Sequence, residues 1–217
     1  NKNLAKEAIR QERVKKELEL ASEMQNMLLP NQLPQDDHLD IAAFYKSHQQ
    51  VGGDYYDVIW VNKIEIAMCI ADVSGKGVSA AILMSNFQAN LQAGVKHSIS
   101  LPELVQDLNE KVMNNAKGEK FITMFIAIYN VENRQLTYIN CGHNPPVLKN
   151  GNEIVQLKDG CPGLGMLDYL PAPKIGIVDI QIGSTLITYT DGLCEVENHE
   201  KIEYGTDRIE DTIQKGK

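Results

Sequence analysis

The segment VGGDYYD, residues 51–57, places an acidic residue after two glycines and at the start of a strand-like stretch. From there on, residues 56–61 (YDVIWV) and 64–72 (IEIAMCIAD) have the composition of β-strands, and Asn62–Lys63 separates them. Two adjacent strands with so short a connection predict an antiparallel hairpin. The geometry of this hairpin then determines where the acidic residue lies.

Within the hairpin, Asp54 is predicted to lie close to a second acidic residue, Asp72. A turn centred on residues 62–63 places Asp54 opposite Ala71, beside Asp72. A shift of one residue in this register would change the faces but not the end of the hairpin at which the acids meet. Opposed side chains lie about 5 Å apart and diagonal ones about 7–8 Å. Two carboxylates at such distances are costly unless one is protonated or a cation lies between them.

A third acidic residue, Asp191, shares the sequence context of Asp72, since each ends an apolar strand beside a glycine-containing turn. Asp72 lies in IADVSGKGVSAA (70–81), where the turn leads into a helix, and Asp191 lies in TLITYTDGLCE (185–195). One Asp–Gly at a strand end is ordinary turn chemistry, but three acids in such settings indicate a shared site. Oxygen ligands without nearby His or Cys favour a hard cation, Mg²⁺ or Mn²⁺, over zinc. The turn around Lys76 lacks the spacing of a P-loop.

Outside the hairpin, the apolar periodicity predicts an α+β fold with antiparallel sheets. Helices are predicted over residues 77–95, 101–116 and 204–215. Ser100 is the predicted N-cap of the second of these helices, with Glu103 three residues later. Strands are predicted over residues 121–130, 135–141, 145–149, 153–157, 174–182 and 185–191.

Residues 1–29 contain neither Gly nor Pro and are rich in helix-forming residues, which predicts a long N-terminal helix that ends at Pro30. The 4-3-4-3 spacing of a two-stranded coiled coil is found at Val14, Leu18, Ala21, Gln25 and Leu28. A single helix that lies on the domain's own core would explain this spacing equally well. We therefore divide the chain into a linker helix over residues 1–34 and a globular domain over residues 35–217.

The composition excludes some classes of function. A net charge of −8, from 21 basic and 29 acidic residues, argues against binding to a nucleic-acid phosphate backbone. The four cysteines have no C-x-x-C spacing, which predicts free thiols in a reducing cytoplasm rather than a disulfide framework. Because the sequence has neither a signal peptide nor an apolar run of membrane-spanning length, we expect a cytoplasmic protein with no membrane segment in this stretch.

Five motifs carry a resemblance to a known family. In chain order they are VGGDYYD, ADVSGKGVSAA, FITMF, CGHNPP and YTDGLCEVEN. Together they resemble the metal-dependent PPM-type serine/threonine phosphatases, in the bacterial SpoIIE/RsbU branch, from about Leu18 to the C-terminus. The resemblance implies an α-β-β-α sandwich of two antiparallel sheets flanked by helices. It also implies two metal ions, Mn²⁺ or Mg²⁺, at one edge of the paired sheets.

The matching motif positions imply a role for each acidic residue. Asp72 would bridge the two metal ions, and the carbonyl of Val73 would be a further ligand. Asp191 would bind the other side of the pair, and Asp54 would coordinate a metal ion or orient its water. The residues that would support the metal ions or contact the substrate are Asp57, Gly75, Lys76 and His143. For His143 we weigh a general acid against a structural turn before Pro145–Pro146, and the prolines favour the turn.

One feature of the family is not found in this sequence. Its members have a later D-D-x-T motif in a last strand, which supplies another metal ligand. The similar EDTI at residues 210–213 follows Asp191 closely and lies in a helical pattern, so we do not transfer the role to it. Either the C-terminal part of the domain is missing from this stretch, or the protein lacks that ligand. In both cases we expect one metal site to be incomplete in this stretch.

The resemblance also implies a function and partners. Members of this branch hydrolyse phosphoserine on a STAS-domain anti-anti-sigma factor by attack of a metal-bridging water, in bacterial partner-switching pathways. We further expect a homodimer formed through the N-terminal helix and an upstream sensory or receiver domain. The alternative is a non-catalytic module that binds its partner without turnover. A diguanylate cyclase is rejected, because Tyr55 stands where its G-G-D-E-F signature needs a second acid.

Overall fold

The computed structural model describes residues 2–47, 50–97 and 100–215. Its helices are α1 (Lys2–Asn26), α2 (Val78–Lys96), α3 (Leu101–Ala116), α4 (Asp191–Cys194) and α5 (Asp207–Lys215). Its strands are β1 (Tyr55–Trp60), β2 (Glu65–Val73), β3 (Ile122–Asn130), β4 (Gln135–Cys141), β5 (Val147–Asn150), β6 (Glu153–Gln156), β7 (Gly160–Cys161), β8 (Gly176–Asp179) and β9 (Thr185–Ile187). Asn1 and Lys217, the ends of the predicted domains, lie outside the described residues.

The strands form two sheets. The larger sheet has the order β1-β2-β3-β4-β7, with β8 also paired to β4, and the smaller sheet has the order β6-β5-β9. Paired strands are antiparallel except β4 and β7, which run parallel. The predicted hairpin is the β1–β2 pair at one side of the larger sheet.

The sheets and helices are stacked in four layers. Helices α2 and α3 cover one face of the larger sheet, and the core between them includes Met84, Leu91, Leu104 and Ile126. The other face packs against the smaller sheet through a second core, which includes Phe125, Leu136, Leu148 and Leu157. Helix α5 covers the smaller sheet with Ile209 and Ile213. This arrangement confirms the predicted α-β-β-α sandwich.

The register of the β1–β2 hairpin differs from the predicted one by a single residue. Tyr55, and not Asp54, lies opposite Ala71, so the next pair along the hairpin brings Asp54 level with Asp72. The cause is the side chain of Asn62, whose Oδ1 accepts hydrogen bonds from the backbone N–H groups of Ile64 and Glu65. These bonds close a loop wider than the predicted two-residue turn. The prediction that Asp54 and Asp72 lie at the same end of the hairpin is confirmed. They lie opposite each other, and not diagonally as predicted.

Most other predicted elements are confirmed within one or two residues, but the last two strands are shorter than predicted. Helix α3 has the predicted bounds, and Ser100 and Glu103 form a complete capping box. Of the stretch predicted as a strand over 174–182, only β8 is regular strand, with single backbone hydrogen bonds at Lys174 and Ile180 and a turn at residues 182–183. The strand predicted over 185–191 ends at Ile187, because the chain turns there towards α4.

The two ends of α1 have different surroundings. Near the start of the helix Leu4, Ile9 and Val14 are exposed, whereas Gln25 is buried and Leu29, just after the helix, joins the core under α2 and α3. Packing on the domain's own core is therefore confirmed for the C-terminal end of α1. The coiled coil stays a prediction for the exposed part. No helix in the described part of the chain is both long enough and apolar enough to cross a bilayer.

Candidate metal centre

The centre begins at Gly53, where the chain before β1 passes directly over the end of β2. A Cβ atom on Gly53 would lie 2.8 Å from the carbonyl oxygen of Val73 and 3.3 Å from Oδ1 of Asp72. Only a glycine permits so close an approach of the two backbones. The double glycine of VGGDYYD therefore has a steric function, since it lets Asp54 reach Asp72 and the Val73 carbonyl.

Asp54 and Asp72 form a close pair of carboxyl groups. They hydrogen-bond to each other, and Thr190 Oγ1 donates a further hydrogen bond of 3.3 Å to Asp54 Oδ2. Burial, together with the charges of Asp54 and Asp191, raises the pKa of Asp72 to about 7. Burial also raises the pKa of Asp54. The pair therefore shares negative charge that the protein's own groups leave uncompensated.

Asp191 completes the group of three acids at the start of α4, next to Thr190. Its charge acts on both Asp54 and Asp72, as expected for residues that converge on one site. Glu195, one turn further along, also raises the pKa of Asp72 and was missed by sequence reasoning. Among the described residues, no three His, Cys, Asp or Glu side chains are already arranged as a metal-binding set.

The turn after Asp72 is held in place by a second chain segment. Ser74 donates its backbone N–H to the carbonyl of Phe121, and its Oγ accepts from the backbone N–H of Phe121, each over 2.9 Å. Lys120 Nζ donates to the carbonyl of Ser74, also over 2.9 Å, and lies over Gly75. These three bonds fix the backbone directly after Val73. Lys76, which the sequence analysis names as a possible substrate contact, is exposed on this turn.

His143 lies beside the centre but inside the protein. Its Nδ1 is 3.0 Å from Thr123 Oγ1, and Thr123 is the residue opposite Asp72 in the β2–β3 pair. Burial lowers the pKa of His143 to about 4, so the ring is neutral at pH 7. Its Nε2 has no hydrogen-bond partner among the described residues. These surroundings favour the structural interpretation of His143 over a general acid exposed to substrate.

Asp57 belongs to a different network, under α2. It is 5% exposed and accepts hydrogen bonds from Tyr55 Oη over 2.5 Å and Gln92 Nε2 over 2.8 Å. Its side chain is therefore occupied in joining β1 to α2. The structure does not bring Asp57 to the three acids, and a role in the core replaces the predicted role beside the metal ions.

Two further residues approach the centre from the N-terminal side. The side-chain amide of Gln25 binds Gly52 twice: Nε2 donates to the Gly52 carbonyl over 2.8 Å, and Oε1 accepts from the Gly52 N–H over 2.9 Å. Tyr45 packs beside Gly52, and its buried hydroxyl has no partner among the described residues. Burial and the charges of Asp54 and Asp72 raise the pKa of Tyr45 to about 12. Sequence reasoning noted Gln25 only as a polar seam position and missed Tyr45.

The donor atoms fit a hard divalent cation. Three carboxyl groups and the Val73 carbonyl are all oxygen ligands, the type that Mg²⁺ and Mn²⁺ prefer. The raised pKa of Asp72 reflects buried negative charge that a cation would compensate. In the EDTI segment at residues 210–213, Asp211 lies on α5 and pairs with Lys215. This position is consistent with the prediction that EDTI supplies no metal ligand.

The Asp54–Asp72 pair makes the stability of the metal-free protein depend on pH. The pKa of Asp72 in the folded protein, about 7, lies above its usual value near 4, so the folded state binds this proton more tightly. We expect the chelator-treated protein to lose stability as the pH rises from about 4 to about 7. Urea unfolding at several pH values measures this loss, which Asp72→Asn should diminish. Equal pH dependence in Asp72→Asn and in the unmodified protein would contradict the assignment.

Comparisons with known proteins identify the family of this chain. The family model described as stage II sporulation protein E (SpoIIE) matches residues 63–217. The phosphoserine phosphatase RsbU of Bacillus subtilis (strain 168) is 32% identical over 195 residues, which cover 87% of this chain and 57% of that protein. The chain spans about half the length of the curated relatives that it matches.

Solved structures share the fold. The SiaA-PP2C domain of Pseudomonas aeruginosa superposes with a TM-score of 0.79 at 20% identity, covering 95% of this chain and 84% of that one. RsbX in complex with magnesium superposes with a TM-score of 0.58 at 21% identity, covering 79% and 83% of the two chains. At such identities the likeness concerns the fold alone. Together with the family match over residues 63–217, it leads to one conclusion: the chain belongs to the SpoIIE family and has the fold of a PP2C-type phosphatase domain.

Proposed function

We propose that this chain is the catalytic domain of a metal-dependent protein serine phosphatase of a bacterial partner-switching pathway. The observation that carries the proposal is the convergence of Asp54, Asp72 and Asp191 beside the Val73 carbonyl. The relative RsbU, named a phosphoserine phosphatase, supports the reaction type. The substrate that we propose is a phosphoserine on a STAS-domain anti-anti-sigma factor.

The chain's own groups have distinct tasks in this proposal. Asp54, Asp72, Asp191 and the Val73 carbonyl would hold two divalent cations, Mn²⁺ or Mg²⁺. Such a cation pair lowers the pKa of water and stabilises the charge of a transferring phosphoryl group. Thr190 orients Asp54 through its hydrogen bond, and Gly53 keeps the Asp54 segment against the Val73 carbonyl. No cysteine or serine nucleophile is required, so the reaction proceeds by direct hydrolysis.

Asp72→Asn is expected to lower the rate of hydrolysis by about 100-fold or more, because this side chain lies between the other ligands and would contact both cations. The measurement is Mn²⁺-dependent release of phosphate from a phosphoserine peptide, with and without chelator. Asp107→Asn is the matched control, since Asp107 is half-exposed on α3 and pairs only with Lys111. Full activity of Asp72→Asn, or activity that persists in chelator, would favour a non-catalytic binding module instead.

Lys120 is proposed as a positioning residue for the Val73 carbonyl, because it holds the next residue, Ser74, in place. Lys120→Met should weaken Mn²⁺ binding by about 10-fold, the lower end of the effect of removing an outer support of a metal ligand. Calorimetry of Mn²⁺ binding measures this directly, without reference to turnover. Lys120→Arg should restore part of the affinity, and Lys96→Met, at the far end of α2, should leave it unchanged. If Lys120→Met bound Mn²⁺ with unaltered affinity, Lys120 would not be a positioning residue for the Val73 carbonyl.

The N-terminal helix is proposed to dimerise the protein and to connect an upstream sensory or receiver domain to the centre. Its exposed apolar side chains support dimerisation, and the Gln25–Gly52 contact supports the connection, since Gly52 is two residues from Asp54. In this arrangement residues 1–34 act as the linker and residues 35–217 as the phosphatase domain. A shift of α1 would move the Asp54 segment directly.

Two substitutions in α1 should have different effects. Leu18→Glu should shift the protein towards monomer and change the activity, because it places charge in the seam. Gln25→Ala should change the activity several-fold without changing the oligomeric state, because it removes only the contact with Gly52. Sedimentation and activity assays on the same samples distinguish the two effects, and Gln11→Ala, at an exposed position of α1, is the control. If Gln25→Ala left the activity unaltered, the Gln25–Gly52 contact would only pack α1 on the domain and would not connect it to the centre.

A further inference from the structure

Two of the four cysteines lie side by side in the larger sheet. Cys141 ends β4 and Cys161 ends β7, and the two are direct partners in the parallel pairing of these strands. Their sulfur atoms are 3.7 Å apart, which is van der Waals contact. Both are free thiols, as the sequence predicts. The proposed phosphatase chemistry uses neither of them.

The backbone holds this pair of thiols together. A Cβ atom on Gly160 would lie 1.8 Å from the carbonyl oxygen of Asn140, so only glycine allows β7 to approach β4 this closely. Asn140 N–H also donates to the Asp159 carbonyl over 2.8 Å, and Gly160 accepts from the Lys174 N–H over 3.0 Å. The two sulfur atoms are therefore in contact because Gly160 packs closely against Asn140 on one side and Lys174 on the other.

The two thiols differ in exposure and in acidity. Cys141 is fully buried, whereas Cys161 is half-exposed. The hydrogen bond between the two sulfur atoms lowers the pKa of Cys161 and raises that of Cys141. A thiolate is the reactive form of cysteine, and an accessible thiol of lowered pKa next to a second thiol is the arrangement found in redox-sensing proteins.

We propose that Cys141 and Cys161 are an oxidation site at which a hydroperoxide forms a reversible disulfide. The Cys161 thiolate attacks one oxygen of hydrogen peroxide, the O–O bond breaks, and the leaving hydroxide takes up a proton to become water. The Cys161 sulfenic acid that results is attacked by the Cys141 sulfur, the S–O bond breaks, and a second water leaves with the Cys141 proton. In sum, two thiols lose two electrons and one hydrogen peroxide becomes two waters. A dithiol reductant reverses the change.

Disulfide formation would act on the proposed metal centre through His143. The sulfur–sulfur distance must fall from 3.7 Å to about 2.05 Å, which draws β4 and β7 together. Gly142 and His143 follow Cys141 directly, and His143 contacts Thr123, the residue opposite Asp72. We therefore expect oxidation to lower the activity reversibly. This consequence rests on the proposed function, whereas the oxidation site does not.

The first measurement is the oxidation state of the cysteines, which does not depend on phosphatase activity. The reduced protein is treated with hydrogen peroxide, and free thiols and cross-linked peptides are then quantified. We expect the loss of two of the four thiols per chain and a peptide in which Cys141 and Cys161 are joined. In Cys141→Ala, a sulfenic acid on Cys161 should accumulate and be trapped by dimedone. Cys161→Ala should give neither product, and it provides a second variant if Cys141→Ala does not fold.

Cys194→Ala is the matched control, because Cys194 is also half-exposed but lies against Asn144 instead of another cysteine. This variant should still form the disulfide between Cys141 and Cys161. Absence of that cross-link at peroxide concentrations that oxidise other thiols of the protein would overturn the proposal. A cross-link that forms in a protein without phosphatase activity would support the oxidation site and count against the proposed function alone.

Discussion

The whole centre depends on one close approach, the contact of Gly53 with the carbonyl of Val73. Because Gly53 has no side chain, the segment before β1 can lie across the end of β2, and Asp54 meets Asp72 there. The cost of this approach is a buried pair of carboxyl groups whose charges oppose each other. That cost explains why a site of this kind is suited to binding cations, and why Asp72 holds its proton up to about pH 7 in their absence.

Three separate parts of the chain converge on this contact. Lys120 and Phe121 hold Ser74, the residue after the Val73 carbonyl. Thr190 binds Asp54 from the segment that also carries Asp191. Gln25 binds the backbone of Gly52 from the end of α1. A movement of any one of these supports would change the geometry of the oxygen ligands, so the same contacts that build the centre also make it sensitive to distant parts of the protein.

Membership of the SpoIIE family accounts for the fold, and two further features lie near the acidic residues. The neutral, buried His143 contacts Thr123 on β3 instead of facing solvent. Cys141, which is paired with Cys161 across β4 and β7, lies two residues before His143 in the chain. The proposed oxidation site and the N-terminal helix thus each reach the centre through a short chain segment, the first at His143 and the second at Gly52.

The sequence by itself determined the fold class, the hairpin, most element bounds and the three acidic residues, because each depends on local periodicity, turn residues or a motif. The hairpin register was wrong by one residue, since a side chain, Asn62, sets the width of the loop. Asp57 carries the same charge as Asp54 and lies three residues away, yet only the packing of α2 shows that it belongs to the core. The parts played by Gln25, Lys120, Glu195 and the Cys141–Cys161 pair were likewise decided by the tertiary structure. Each acts on a residue distant in sequence, and such contacts leave no periodic signal in the chain.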